Sequence, residues 1–130
     1  MKKILIVDDE PNIVMSLEYT FKKNNFQVFI ARDGLEALDI LKTNFPDVII
    51  LDVMMPMVDG FATLEQIRKD DNLQHTKVMF LSAKNKESDF EKGLALGDDA
   101  YMTKPLSIKK VVEKVEELKK KKKLIIIKYR

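Results

Sequence analysis

The segment Pro46-Asp47-Val48-Ile49-Ile50-Leu51-Asp52 is apolar without alternation from Val48 to Leu51 and then stops at a carboxylate. A strand with one wet face alternates apolar and polar residues; a strand of a parallel sheet covered by helices on both faces does not. The segment therefore predicts an inner strand of a parallel sheet, whose neighbours must be joined by long, usually helical crossovers. Upstream, Leu35, Leu38 and Leu41 mark a helix that follows the turn Asp33-Gly34 and ends at Pro46. Residues 27–31 read as a second strand, and Asn24-Asn25 breaks a first helix that starts at Pro11 and carries Ile13, Val14, Leu17 and Phe21. Residues 3–7 are the first strand. Downstream, Pro56 and Gly60 lie in a loop before a helix marked by Phe61, Leu64 and Ile67. A fourth strand over 78–81 closes at Ser82, a weaker, more polar helix covers 86–95, and a short fifth strand covers 100–103. Ile108, Val111, Val112, Val115 and Leu118 stripe the last helix. Five strand–helix units predict an α/β fold.

The closest architecture is a flavodoxin-like, doubly wound, five-stranded parallel sheet of order 2-1-3-4-5 with helices on both faces. The chain has 130 residues, 45% hydrophobic and 34% charged, which suits one domain, expected over 1–120 with a basic and apolar tail at 121–130. Cysteine is absent, so a disulfide scaffold or cysteine-based metal site is excluded. The apolar run after Lys2-Lys3 ends at Asp8 after four residues, too short for a secretion signal. Nothing approaches a membrane span, and a cytoplasmic location is expected. The net charge of +2 is uneven: ten Lys/Arg and three Glu from Lys109 onward leave +7 there and −5 before it. A basic tail suits an anionic surface, but it brings no recognition motif, and a solvated helix face is the plainer reading. No direct nucleic-acid contact is expected. The apolar stub 124–130 is unexplained by the five-unit pattern.

Polar residues gather at the strand ends: Asp8-Asp9 after the first, Asp52 after the third, Ser82 after the fourth and Lys104-Pro105 after the fifth. In such sheets ligands bind outside the carboxyl ends where the strand order reverses, here between the first and third strands. Carboxylates brought together there repel by on the order of 4 kcal/mol per pair at about 4 Å and an effective dielectric of about 20. A cation is needed, and a hard, oxygen-loving, partly hydrated ion such as magnesium suits a phosphate-handling pocket. Lys104 adds a compact positive charge for a phosphate oxygen. Asp52 becomes a candidate nucleophile, able to form an acyl phosphate, with Ser82 offering a hydroxyl to the phosphoryl oxygens. Singly, each residue has a bland explanation: an acidic helix start for Asp8-Asp9-Glu10, a cap for Asp52 or Ser82, a solvated Lys104. Their joint placement at the ends of four strands is what argues for a site.

Those residues sit in motifs that resemble the receiver domains of bacterial and archaeal response regulators, including the stand-alone chemotaxis type. The carriers are Ile4-Leu5-Ile6-Val7-Asp8-Asp9-Glu10-Pro11, Ala31-Arg32-Asp33-Gly34-Leu35-Glu36-Ala37-Leu38, the run from Pro46 through Asp52 to Val53-Met54-Met55-Pro56-Met57-Val58-Asp59-Gly60, Leu81-Ser82-Ala83 and Tyr101-Met102-Thr103-Lys104-Pro105-Leu106. The resemblance spans residues 2–118. It implies that Asp52 receives a phosphoryl group from a phosphohistidine on a sensor histidine kinase or phosphotransfer protein. It implies that Asp9, Asp52 and the Met54 backbone carbonyl ligate magnesium, with Asp8 acting through water. Lys104 would pair with the phosphoryl oxygens, Ser82 would swing to bond the phosphoryl group, and Tyr101 would turn inward behind it. The Lys104-Pro105 bond is expected to be cis. The output face would be the fourth helix, fifth strand and fifth helix, used by a downstream protein or for a phosphorylation-dependent homodimer of an otherwise monomeric protein. Such a protein catalyses only its own phosphorylation and dephosphorylation, and is not otherwise an enzyme.

The order Gly97-Asp98-Asp99-Ala100 departs from the more usual Gly-Ala-Asp-Asp, and Leu106 stands where phenylalanine is common. Met54 and Lys84 flank the expected phosphoryl path and would tune its lifetime. His75 reads as a surface residue. An aspartate-nucleophile phosphatase would want Asp-x-Asp after the first strand, and a flavin module would want a phosphate-cradling loop there; Asp8-Asp9-Glu10 suits neither. Within the family, a stand-alone receiver is favoured over the receiver half of a larger DNA-binding or enzymatic regulator.

Overall fold

The computed structural model describes residues 1–120; the expected tail at 121–130 lies outside the described residues. The elements are β1 (Lys2–Val7), α1 (Pro11–Lys23), β2 (Phe26–Ala31), α2 (Gly34–Ile40), β3 (Val48–Leu51), α3 (Gly60–Lys69), β4 (Lys77–Ser82), α4 (Glu87–Leu96), β5 (Ala100–Thr103) and α5 (Ile108–Lys120), with a 3-10 turn at Asp71–Leu73. All strand pairs are parallel, in the order β2-β1-β3-β4-β5. This is the doubly wound architecture the apolar runs predict.

Strand alternation now has two buried destinations. Leu5, Val7, Ile49, Leu51, Val78 and Phe80 face one core with Ala37, Phe61, Leu64 and Ile67 of α2 and α3. Ile4, Ile6, Val48, Ile50, Met79 and Leu81 face the other with Leu17, Phe21, Val111, Val115 and Leu118 of α1 and α5. Each such aliphatic side chain contributes about 1.5–3 kcal/mol on burial, which is why β3 tolerates no polar residue. α4 is different: Gly93 is its one buried residue, and Leu94 is 71% exposed.

Helix starts are set locally. Asp33 caps α2 by accepting the Glu36 amide at 2.9 Å, and Asp59 caps α3 by accepting the Ala62 amide at 2.8 Å. Leu35 does not join the core with Leu38 and Leu41; it is 46% exposed, because it follows Gly34 at the outset of α2 while Ala37 takes the inward position. The chain leaves α2 at Ile40, before Pro46. Lys104-Pro105 is cis, as expected. At Gly60 an added Cβ would collide with the Asp52 carbonyl and the Val53 backbone, so only glycine lets α3 start this close to the end of β3.

Candidate functional site

Register brings the strand ends level. Val7 pairs with Leu51, Leu51 with Phe80, and Ser82 with Thr103. Past those pairs, the Asp52 amide donates to the Val7 carbonyl at 2.9 Å and the Lys104 amide to the Ser82 carbonyl at 2.9 Å. Asp8, Asp52, Ser82 and Lys104 thus emerge at one edge of the sheet, at the β1/β3 reversal point.

Lys104 is the centre of the cluster. Its Nζ lies 3.0 Å from Asp8 Oδ2, 3.3 Å from Asp52 Oδ2 and 2.6 Å from Glu10 Oε1. Asp8 and Asp52 are buried. Each is fixed by a backbone donor: the Glu10 amide to Asp8 Oδ1 at 2.9 Å and the Met54 amide to Asp52 Oδ1 at 3.2 Å. Burial raises the Asp8 carboxyl above the ordinary carboxylate range, against the Glu10 amide and Lys104, and the Asp52 charge adds to the rise. Burial works against the Lys104 charge as well. Its bonds to Glu10 and Asp8 and the charges of Asp52 and Asp8 outweigh that and hold its pKa above the ordinary lysine value.

Glu10 joins the expected Asp8 and Asp52 as the third carboxylate at Lys104. Oxygens of Asp8, Glu10 and Asp52 lie within 4.8 Å of one another; Asp9 is exposed and lines the adjoining hollow together with Asp8, Pro11, Val14 and Arg32. Glu10 occupies the N-cap position of α1 without capping it; its carboxylate reaches Lys104 instead. The signal available was a weak capping residue where Asp or Ser would serve better. Three convergent carboxylates against one lysine form an oxygen-only, net negative donor set, which fits a hard divalent cation.

Ser82 is fully buried, and its Oγ accepts the Lys84 amide at 3.2 Å. The Tyr101 hydroxyl donates to the Lys84 carbonyl at 2.8 Å. Its ring packs against Phe80 at 5.4 Å and edge-on to Phe90 of α4 at 4.8 Å. Tyr101 is therefore turned toward the loop after β4. Burial chiefly, then the charge of Asp89, raises its hydroxyl pKa, with smaller contributions from Asp52 and Asp98. The Met54 side chain is 55% exposed and His75 is exposed. Among the described residues no helix is long and apolar enough to cross a membrane.

The chain is 43% identical over 117 residues to the alkaline phosphatase synthesis transcriptional regulatory protein PhoP of Bacillus subtilis, covering 90% of this chain and 48% of that protein. It thus spans about half the length of this curated relative. The Francisella response regulator 1452 receiver domain superposes with a TM-score of 0.85 at 38% identity, over 92% of this chain and 98% of that one. The receiver domain of the Pseudomonas aeruginosa sensor histidine kinase PA1611 shares the fold, with a TM-score of 0.84 at 23% identity over 92% and 98% of the two chains; in that structure a magnesium ion is coordinated in the active site cleft. The family description that matches residues 4–116 is the response regulator receiver domain, and the chain belongs to that family, the receiver domains of two-component signalling.

Proposed function

We propose that Asp52 is the phosphoacceptor of a magnesium-dependent switch. The observation that carries this reading is Lys104 Nζ at 3.3 Å from Asp52 Oδ2 and 3.0 Å from Asp8 Oδ2, across the ends of β1, β3 and β5. The donor is a phosphohistidine on a histidine kinase or phosphotransfer protein. Asp52 Oδ2 attacks phosphorus, the histidine N–P bond breaks, and the imidazole leaves as its nitrogen takes a proton. Lys104 balances charge on the phosphoryl oxygens, and Ser82 Oγ, now bonded to the Lys84 amide, turns to donate to one of them. Asp52, Asp9 and the Met54 carbonyl, with Asp8 through water, would hold the ion, and Glu10 joins this set by its position. When bound, magnesium neutralises the developing charge on the transferred group.

The product adds roughly −1.5 to −2 charges, taking other phosphorylated side chains as a guide. Tyr101, held at the Lys84 carbonyl and against Phe90, links that change to the α4–β5–α5 face. There a partner protein or a second copy would bind. A coupling of about 1–3 kcal/mol suffices for such a switch. The protein works in the cytoplasm and, on this reading, turns over no substrate but its own phosphoryl group.

With magnesium and acetyl phosphate, intact mass should rise by one phosphoryl group in the wild type and not in Asp52→Asn; equal gain in both would remove the assignment. A second reading has its own observation. The chain covers 48% of a transcriptional regulator to which it is 43% identical, which favours the receiver half of a longer DNA-binding protein over a stand-alone receiver. The mass of the polypeptide made from the native gene decides between them.

A further inference from the structure

The departure at Asp98 is not absorbed by the phosphoryl site. Asp98 follows Gly97, which ends α4 in the left-handed conformation at φ 99°. The Asp98 amide donates back to the Gly93 carbonyl at 3.0 Å, and its side chain curls over the same turn. An added Cβ on Gly93 would collide with Asp98 Oδ2 and stand 3.3 Å from the Phe80 ring. That carboxylate oxygen therefore packs on the bare Cα of α4's one buried residue. Oδ2 is itself buried and has no hydrogen-bond partner among the described residues.

The cation that would balance it is committed elsewhere. From α3, Arg68 Nε donates to the Gly97 carbonyl at 3.0 Å, one terminal nitrogen to the carbonyls of Thr76 at 2.9 Å and Leu73 at 3.4 Å, and the other to Asp99 Oδ2 at 3.0 Å. Asp99 Oδ2 also takes the Val78 amide of β4 at 2.8 Å. The other charges nearby do not help. Asp99 is a like charge, and Tyr101 of β5 is a neutral neighbour whose own pKa the Asp98 charge raises. On α4, Lys92 Nζ stands over the Phe61 ring at 4.9 Å, Asp89 accepts the Lys86 amide, and Glu87 and Glu91 are exposed. β4 contributes Val78 and Phe80.

The geometry points to a proton-operated joint: Asp98 lets the last turn of α4 close on the sheet when its carboxyl carries a proton, and loosens that turn when it does not. An ionised, buried oxygen without a donor must find water. The nearest way to admit water is to lift Gly93 and the Gly93–Gly97 turn, since Gly93 is the one buried residue of α4. Burial first, then the Asp99 charge, against Arg68, brings the Asp98 carboxyl up to about 6, so the joint responds within the range of cellular pH. Phe80 touches the Gly93 position and packs on Tyr101, which packs on Phe90 of α4. Loosening the turn thus reaches Tyr101 through two ring contacts. The proposed output face would be set by acidity as well as by phosphate. The device operates in the unphosphorylated protein, so it and the phosphoacceptor assignment stand or fall separately.

The test is an NMR titration of the unphosphorylated, magnesium-free protein from pH 4.5 to 8. The Asp98 carboxyl carbon should titrate near 6, and the Gly93, Leu94 and Gly97 amides should move with the same midpoint. Amide exchange in that turn, corrected for intrinsic chemistry, should quicken on the order of tenfold from pH 5 to pH 8. In Asp98→Ala and Asp98→Asn both responses should vanish, while His75→Gln should keep them. The proposal is overturned if Asp98 titrates near the ordinary carboxylate value, if the amides shift unchanged in both Asp98 variants, or if His75→Gln abolishes the transition.

Discussion

At the ends of β1 and β3, Asp8 and Asp52 are buried beside Lys104, whose Nζ reaches both within 3.3 Å. At the joint between α4 and β5, Asp98 and Asp99 lie near Arg68, whose guanidinium serves Asp99 and three backbone carbonyls and leaves Asp98 Oδ2 without a partner among the described residues. The two regions have nearly the same inventory, a pair of aspartates and one cation. They differ in where the cation points. Lysine is a compact charge on a flexible stem and can serve several carboxylates at one spot. Arginine is a planar fork whose donors have fixed directions, and here those directions hold the backbone of α3, the 3-10 turn and α4 together. The first region is arranged to change partners; the second carries an uncompensated group because its cation is used for structure.

Replacing the cations separates the two cases most sharply. Lys104→Met strands two buried carboxylates and should destabilise the metal-free protein by about 3 kcal/mol or more, read by urea denaturation at neutral pH. Magnesium should recover part of that loss. Arg68→Met should cost about 2–3 kcal/mol, since Asp99 is less deeply buried and keeps the Val78 amide, and magnesium should recover none of it. Equal rescue of both variants by the ion would erase the distinction drawn here.

Removing the unpartnered carboxylate should do the opposite. The folded protein holds the Asp98 proton up to about 6, against an ordinary value of 3.8. It therefore binds more protons than the unfolded chain between those values, and stability falls as pH rises across that interval. Asp98→Ala should stabilise by about 1–3 kcal/mol at pH 8 and by little at pH 4. A gain that is the same at both pH values would mean that packing rather than charge is responsible. The smallest effect belongs to Glu10→Gln. Its side chain is 54% exposed, so less than about 1 kcal/mol is expected, even though its contact with Lys104 is the shortest of the three.

The sheet was readable from the chain because the inner strands β1, β3 and β4 carry four-residue apolar runs, buried on both faces, that stop at a polar residue. The period of the pattern and the place of the site come from the same physical requirement, burial between helices. The end of β3 at Asp52 and of β4 at Ser82 follow directly. What was not readable depends on direction rather than period. Leu35 matches the spacing of Leu38 yet points out, because the Asp33 cap sets where α2 begins and thereby which face is inner. Asp9 and Glu10 are adjacent acids in one motif; Glu10's extra methylene and N-cap position, not composition, bring it to Lys104. Asp98 looked like a rearranged motif near an output surface. Its unsatisfied oxygen depends on Gly93 and Arg68, which are five and thirty residues away in sequence, and only the folded chain brings them together.

The central claim, that the gathered acids and Lys104 make Asp52 and no other carboxylate the acceptor of phosphate, is tested most directly by trapping. After reaction with acetyl phosphate and magnesium, borohydride reduces an acyl phosphate to the alcohol, and peptide mapping locates the reduced residue. The account predicts the mass change at residue 52 alone, and its loss in Lys104→Met. A reduced residue at Asp8, Asp9 or Asp59, or none in a protein that has visibly gained the phosphoryl mass, would contradict it.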